Sequence, residues 1–267
     1  MHLLYEKRDG IAWLTMNRPD RRNAISPEML VRLRDAWRDF RDDRDARVAV
    51  LTGTGDKAFC AGADLQLLIP LFTGARKPQD QWDEALLSDR EALNSGLLRG
   101  FELYKPVIAA VNGFALAGGT EILQAADIRI ACPEARFGLS EAQRGIIPAG
   151  GSLVRLQRQI PFAKAMEMLL TGDPMSAEEA HRIGLVNEIV PRAELLDRAQ
   201  AVARRVAENG PLAVQKIKEA LLCTNGLPFA EAFAIESECA REVMRSHDAV
   251  EGPRAFMEKR KPVFTGR

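Results

Sequence analysis

The chain has 267 residues, 46% hydrophobic and 28% charged, a balance that suits one large globular domain or a core with an appendage. It sets aside disordered, collagen-like and disulfide-stapled chains. The 37 Lys and Arg cancel the 37 Asp and Glu, and the densest charge run, Arg38 to Arg47, alternates in sign, so no nucleic-acid partner is expected.

No apolar run approaches the roughly eighteen residues of a bilayer span, and Glu6, Lys7, Arg8 and Asp9 crowd the N-terminus. Neither a leader peptide nor a membrane segment is expected, and a cytoplasmic location follows. Cys60, Cys132, Cys223 and Cys239 form no C-x-x-C pair, the pattern of free thiols in a reducing compartment. With only His2, His181 and His247 available, no metal site and no Ser-His-Asp relay is expected. Carboxylates and backbone amides become the leading groups for chemistry.

In chain order, Leu3 to Arg8 and Ile11 to Met16, split by Asp9-Gly10, read as a hairpin. Ser26-Pro27-Glu28 starts a helix with a serine N-cap and a proline at its first position, running to about Arg41. Val48 to Leu51, Val107 to Val111, Ile128 to Ala131 and Leu185 to Val190 are short apolar runs of the buried parallel-strand type. Between the first two lies Leu65 to Leu103, whose early part carries Pro70, Gly74 and Pro78 and reads as a mobile loop, and whose later part is compatible with helix. After Pro191 come helical stretches at Ala193 to Glu208, Leu212 to Leu222, Phe229 to Met244 and Asp248 to Lys259. Strands separated by helices predict an α/β fold, with a core over residues 1–191 and a helical region over 192–267.

Three small-residue stretches stand out: Lys57 to Leu65, Asn112 to Glu121, and Phe137 to Glu141 leading to Pro148-Ala149-Gly150-Gly151. A glycine pair at a helix start leaves backbone N–H groups unpaired and lets another molecule approach without a Cβ in the way. Such amides can hold a developing oxyanion. Taken singly, each stretch is more often a turn or a close helix contact than a site, and a surface helix position is the usual place for glutamates such as Glu121 and Glu141. Cys60, with no histidine nearby to activate it, belongs in the core.

In this order and spacing the three stretches resemble the enoyl-CoA hydratase/isomerase, or crotonase, superfamily. The resemblance extends from Asn17-Arg18-Pro19 and Asn23-Ala24 to Glu251-Gly252-Pro253, Ala255-Phe256 and Glu258 to Pro262. It implies a spiral of β-β-α turns, a C-terminal helical region that mediates trimer formation, often with two trimers stacked as a hexamer, and an acyl-CoA thioester as substrate. No separate cofactor is implied, since coenzyme A is part of the substrate.

Carried over by residue, the resemblance makes the amides of Ala63 and Gly118 an oxyanion hole and places Ala61, Asp64, Leu65 and Ala149 against the substrate. Glu121 and Glu141 match the glutamate pair of members that hydrate enoyl-CoA, Glu121 activating water and Glu141 delivering a proton to Cα. Of two close carboxyls in apolar surroundings, one should have a raised pKa and act as the acid. Both glutamates favour hydration over double-bond isomerisation or another crotonase-type lyase reaction, and over a non-catalytic acyl-CoA binding subunit. Ala149 stands where many hydratases have glycine, Thr120 replaces a smaller residue, and Gln66 stands where some members have a lysine near the adenine. Lys259 to Lys261 is the substitute for the phosphates.

Overall fold

The computed structural model describes residues 1–89 and 91–267. The chain opens with β1 (Leu3–Arg8) and β2 (Ile11–Met16), then α1 (Pro27–Asp42), β3 (Val48–Gly53) and β4 (Ala58–Cys60). Three short helices follow, α2 (Leu68–Phe72), α3 (Gln81–Ser88) and α4 (Ala92–Gly96). Next are β5 (Val107–Val111), β6 (Phe114–Leu116), α5 (Gly118–Leu123), β7 (Ile128–Ala131) and β8 (Arg136–Gly138). The remainder is α6 (Ser152–Gln159), α7 (Phe162–Thr171), β9 (Met175–Ser176), α8 (Ala177–Arg182), β10 (Glu188–Ile189), α9 (Leu195–Ala207), α10 (Pro211–Thr224), α11 (Phe229–Met244) and α12 (Asp248–Met257).

The strands make two sheets. One has the order β1-β2-β3-β5-β7-β10, the other β4-β6-β8-β9. Apart from the antiparallel hairpin β1-β2 in the first and the β8-β9 pair in the second, neighbours run parallel. From β3 to β8 each turn of the chain lays one strand in the large sheet and the next in the small one before a helical segment, the expected β-β-α spiral, while β1 and β2 both lie in the large sheet. The hairpin reverses through Asp9 and Gly10, both at positive φ, the pairing that two-residue turns between twisted strands require. Ser26 caps α1 by accepting from the Met29 amide at 3.1 Å.

Both faces of the large sheet are covered, which is why its strands read as continuous apolar runs. Ala49, Leu51, Val107, Ala109 and Val111 face the main core with Trp37, Phe40 and Phe59. Val48, Val50, Ile108 and Ala110 point the other way, onto Leu195, Ala199 and Ala203 of α9. Composition sets α9 with the C-terminal helices, but packing makes it a cover of the sheet. By contrast α10 buries no residue and α11 only Cys239.

Two expectations need correction. Leu185 to Val190 is not one strand: only Glu188 and Ile189 pair with β7. Leu185 and Val186 are buried instead in the turn that ends α8, where their amides donate to the Ala180 carbonyl. The segment expected as a loop before residue 78 contains α2, which accommodates Pro70 because that residue lies in its first turn, where no N–H partner is needed.

Candidate active site

Four loops converge on one cavity of about 400 Å³. The first is the segment after β4. Ile25 accepts from the Asp64 amide and donates to the Gly62 carbonyl, at 2.9 and 2.8 Å, forming an isolated parallel bridge with Ala63. In an extended strand successive peptide groups point to opposite sides, so the Ala63 N–H turns away from Ile25. Gly62, at φ +93°, lets this segment lie against the next: a methyl there would stand 2.6 Å from Cβ of Ala117.

The second loop is the start of α5. Ala117 holds φ 50° and ψ −124°, a conformation that L-residues rarely adopt, with its amide bonded to the Gly138 carbonyl at 2.8 Å. The turn leaves the Gly118 N–H at the helix start, where no intrahelical acceptor exists. The two amides are neighbours, since a methyl built on Gly118 would lie 3.6 Å from the Ala63 nitrogen. Gly119 has no alternative, because any side chain there would overlap the Cys60 carbonyl. Thr120 is fully buried and its hydroxyl donates to the Ala115 carbonyl at 2.6 Å, tying α5 to β6. Burial pushes the Cys60 thiol up to about 12, which keeps it neutral.

One carboxyl, Glu121, comes from α5 itself; the other, Glu141, comes from the third loop, after β8, and the fourth, Ala149 to Gly151, closes over Glu121. Glu121 is 4% exposed and Glu141 6% exposed, and both line the cavity. Burial raises the pKa of Glu121, opposed by the amides of Ser152 and Gly150 and by the Arg155 guanidinium; the Ser152 amide donates at 3.2 Å. Glu141 has less support. Its Oε2 is buried with no hydrogen-bond partner among the described residues. Burial, with the Glu121 charge adding to it, pushes its pKa up to about 7. One carboxyl is thus held by fixed donors while its neighbour is left to carry a proton.

Of the eight residues singled out by the sequence, Ala61, Ala63, Leu65, Gly118, Glu121, Glu141 and Ala149 line this cavity. Asp64 does not. Its carboxylate is turned back to Arg18 at 2.9 Å and caps the amides of Gln66 and Leu67, so it shapes the loop without facing a ligand. The basic group at Lys259 to Lys261 is also absent from the lining, and Arg260 is taken up by ion pairs with Glu251 and Glu258 at 2.6 Å. Among the described residues, the cations that line the cavity are Arg22 and Arg144, both exposed. Neither has a sequence signal that separates it from the chain's other arginines. Apart from Ser140, the remaining lining among the described residues is apolar, including Ile25, Leu68, Ile69, Phe72, Leu97 and Ile147.

A two-sheet β-β-α spiral whose loops bring two helix- and strand-edge amides to a buried carboxyl pair defines the class to which comparison with known proteins leads. The family model for enoyl-CoA hydratase/isomerase matches residues 6–267. The chain belongs to that family. It is 44% identical over 264 residues to an enoyl-CoA hydratase of Mycobacterium tuberculosis, covering 99% of this chain and 96% of the relative. It is 40% identical over 269 residues to a carnitinyl-CoA dehydratase of Salmonella paratyphi A, covering 99% and 98%. Among solved structures, an enoyl-CoA hydratase of Bacillus anthracis superposes with a TM-score of 0.89 at 34% identity over 100% of both chains. One from Mycobacterium tuberculosis gives 0.88 at 39% identity, over 100% of this chain and 99% of that one.

Proposed function

We propose that the protein hydrates 2-trans-enoyl-CoA thioesters. The observation that carries this reading is that a supported carboxyl, Glu121, and an unsupported one, Glu141, face the same cavity as two adjacent amides without internal acceptors. The thioester oxygen accepts from the amides of Ala63 and Gly118, which stabilises the enolate-like state that forms as Cβ is attacked. Glu121 takes a proton from water as its oxygen bonds to Cβ, and Glu141 gives its proton to Cα. The pair starts and ends with one proton and resets by exchange with solvent. Coenzyme A enters as part of the substrate, and no other cofactor takes part. Arg22 and Arg144 are the cations this chain offers to its phosphates.

The lining also bears on the acyl group. A carnitinyl group carries a quaternary ammonium, which is recognised by aromatic faces or carboxylates. Phe72 is the one aromatic side chain along this cavity among the described residues, and Glu121 and Glu141 are its carboxylates. The apolar majority favours an uncharged acyl chain. The protein acts as a trimer or a pair of trimers, assembled through the helices after residue 191; Phe229 and Phe256, 83% and 84% exposed, supply apolar surface for the contact.

The test is product identity. A 2-trans-enoyl-CoA should lose its conjugated thioester absorbance and yield a 3-hydroxyacyl-CoA that gains mass in ¹⁸O-labelled water. Rapid conversion of a 3-enoyl-CoA to the conjugated isomer, with no hydroxyacyl product, would replace hydration by isomerisation.

A further inference from the structure

Arg155 is the fourth residue of α6, half-buried, and its guanidinium donates to the carbonyls of Leu97 and Leu98 and not to a carboxylate. It stands outside the acyl cavity, lining a separate space of about 670 Å³ together with Gln124, Arg129 and Arg158. Between it and the cavity run Gly150 and Gly151. A methyl on Gly150 would stand 2.6 Å from Glu121 Oε2, and one on Gly151 would stand 2.9 Å from Arg155 Nη1. The carboxylate and the guanidinium therefore flank a bridge of two residues without side chains. Bulk at either position would push one of the charges away.

The other charges nearby sort into two groups. Arg155 faces Glu121 on α5, with Arg99 from the loop after α4 and Arg129 on β7 as like charges, Arg129 having Asp127 beside it. Glu121 feels the Arg155 cation and the Glu141 carboxyl that shares its cavity, with the amides of Ser152 and Gly150 as neutral donors. Glu141 has Arg144, which is exposed and screened by solvent.

We propose that Arg155 is a positioning residue for the reaction: from behind the Gly150-Gly151 bridge its fixed charge adds to the Ser152 and Gly150 amides in favouring an ionised Glu121, with the pair's single proton on Glu141. This rests on the hydration reading for its consequence in turnover, but not for its effect on Glu121 itself. The amides of Ser152 and Gly150 already favour charge on Glu121 over Glu141, and a cation behind them reinforces that order.

The experiment compares Arg155→Gln, neutral but still able to donate to the two carbonyls, with Arg155→Lys, which keeps the charge. Two quantities are read: the pH profile of kcat/KM for a 2-trans-enoyl-CoA, and the Glu121 midpoint in substrate-free protein, followed as the infrared carboxyl band that Glu121→Gln removes. Removing the cation disfavours the carboxylate, so Arg155→Gln should raise that midpoint and the acid limb together by about one pH unit, roughly tenfold in kcat/KM below the limb. Arg155→Lys should stay near the parent, as should Arg158→Ala, an exposed arginine of the same helix. Should the Gln variant not fold, Arg155→Met supplies the neutral case. An unmoved midpoint in the neutral variant, or an equal shift in Arg155→Lys, would overturn the proposal and leave Arg155 as a brace for Leu97 and Leu98. If no enoyl-CoA were hydrated, the hydration reading would fall, while the infrared midpoint would still decide the role of Arg155.

Discussion

The turn into α5 and the short helices α2 and α4 face the same cavity but are built on opposite principles. Gly118 through Leu123 are all buried, Gly119 lies against the Cys60 backbone, and Thr120 is bonded to the strand before it. Side chains have no freedom to vary there, because backbone rests on backbone. Across the cavity, Leu65 and Phe72 are 54% and 42% exposed, beside and on a helix of five residues. That wall is fastened mainly through Arg76, which donates to the Leu67 carbonyl at 2.8 Å and pairs with the buried Asp83 at 2.5 Å. The proposed reaction places its chemistry where packing forbids sequence change, and its acyl group where side chains can change without disturbing the backbone.

This contrast predicts separable effects. The largest belong to the pair on the rigid side: Glu121→Gln and Glu141→Gln should each lower hydration turnover by about 10²–10⁴, the usual span for losing a general acid or base. Circular dichroism should show both variants folded, and turnover near the parental level would erase the distinction between the two walls.

A smaller effect concerns stability. The Glu141 pKa rises from the ordinary 4.5 in the unfolded chain to about 7 in the fold. The folded state then holds this proton more tightly, so its contribution is complete below about 4.5 and lost as pH rises through 7. Glu141→Gln cannot ionise, and its thermal stability relative to the parent should improve between pH 5 and pH 8 by on the order of 3 kcal/mol. A gap independent of pH would mean that Glu141 ionises freely.

The smallest effect belongs to the open wall. Phe72→Ala should raise KM for a long-chain enoyl-CoA by about tenfold, roughly the loss of one to two buried methylenes, and leave a four-carbon substrate almost unchanged. An equal penalty on both substrates would mean that Phe72 supports the fold and not the acyl chain.

Much of the fold is legible in the sequence, because the signals are local and strong. The hairpin from Leu3 to Met16 and the helix from Phe229 to Met244 have the bounds their patterns predict, and Ser26-Pro27 marks the start of α1. The second sheet is not legible: Ala58–Cys60, Phe114–Leu116, Arg136–Gly138 and Met175–Ser176 are too short for any alternation to register. Leu185 to Val190 misleads for the converse reason, since apolar residues buried by a turn carry the same pattern as a strand. At the site, resemblance points to the carboxyls and amides, whereas Asp64 shows its limit: an acidic residue beside a lining loop is turned to Arg18 by a contact 46 positions away in the chain. Arg155 has no local mark at all, and its place emerges only when α6 is set behind Glu121.

Ala117 carries one further implication. An alanine held at φ 50° and ψ −124° sits at a conformational disadvantage on the order of 1–3 kcal/mol, and the surrounding contacts must outweigh it whenever the chain folds. The aim of the Gly118 N–H is therefore a charge against folding stability, not against the activation barrier. A substitution that let this turn relax should therefore gain heat resistance and lose the Gly118 donor that the proposed reaction uses.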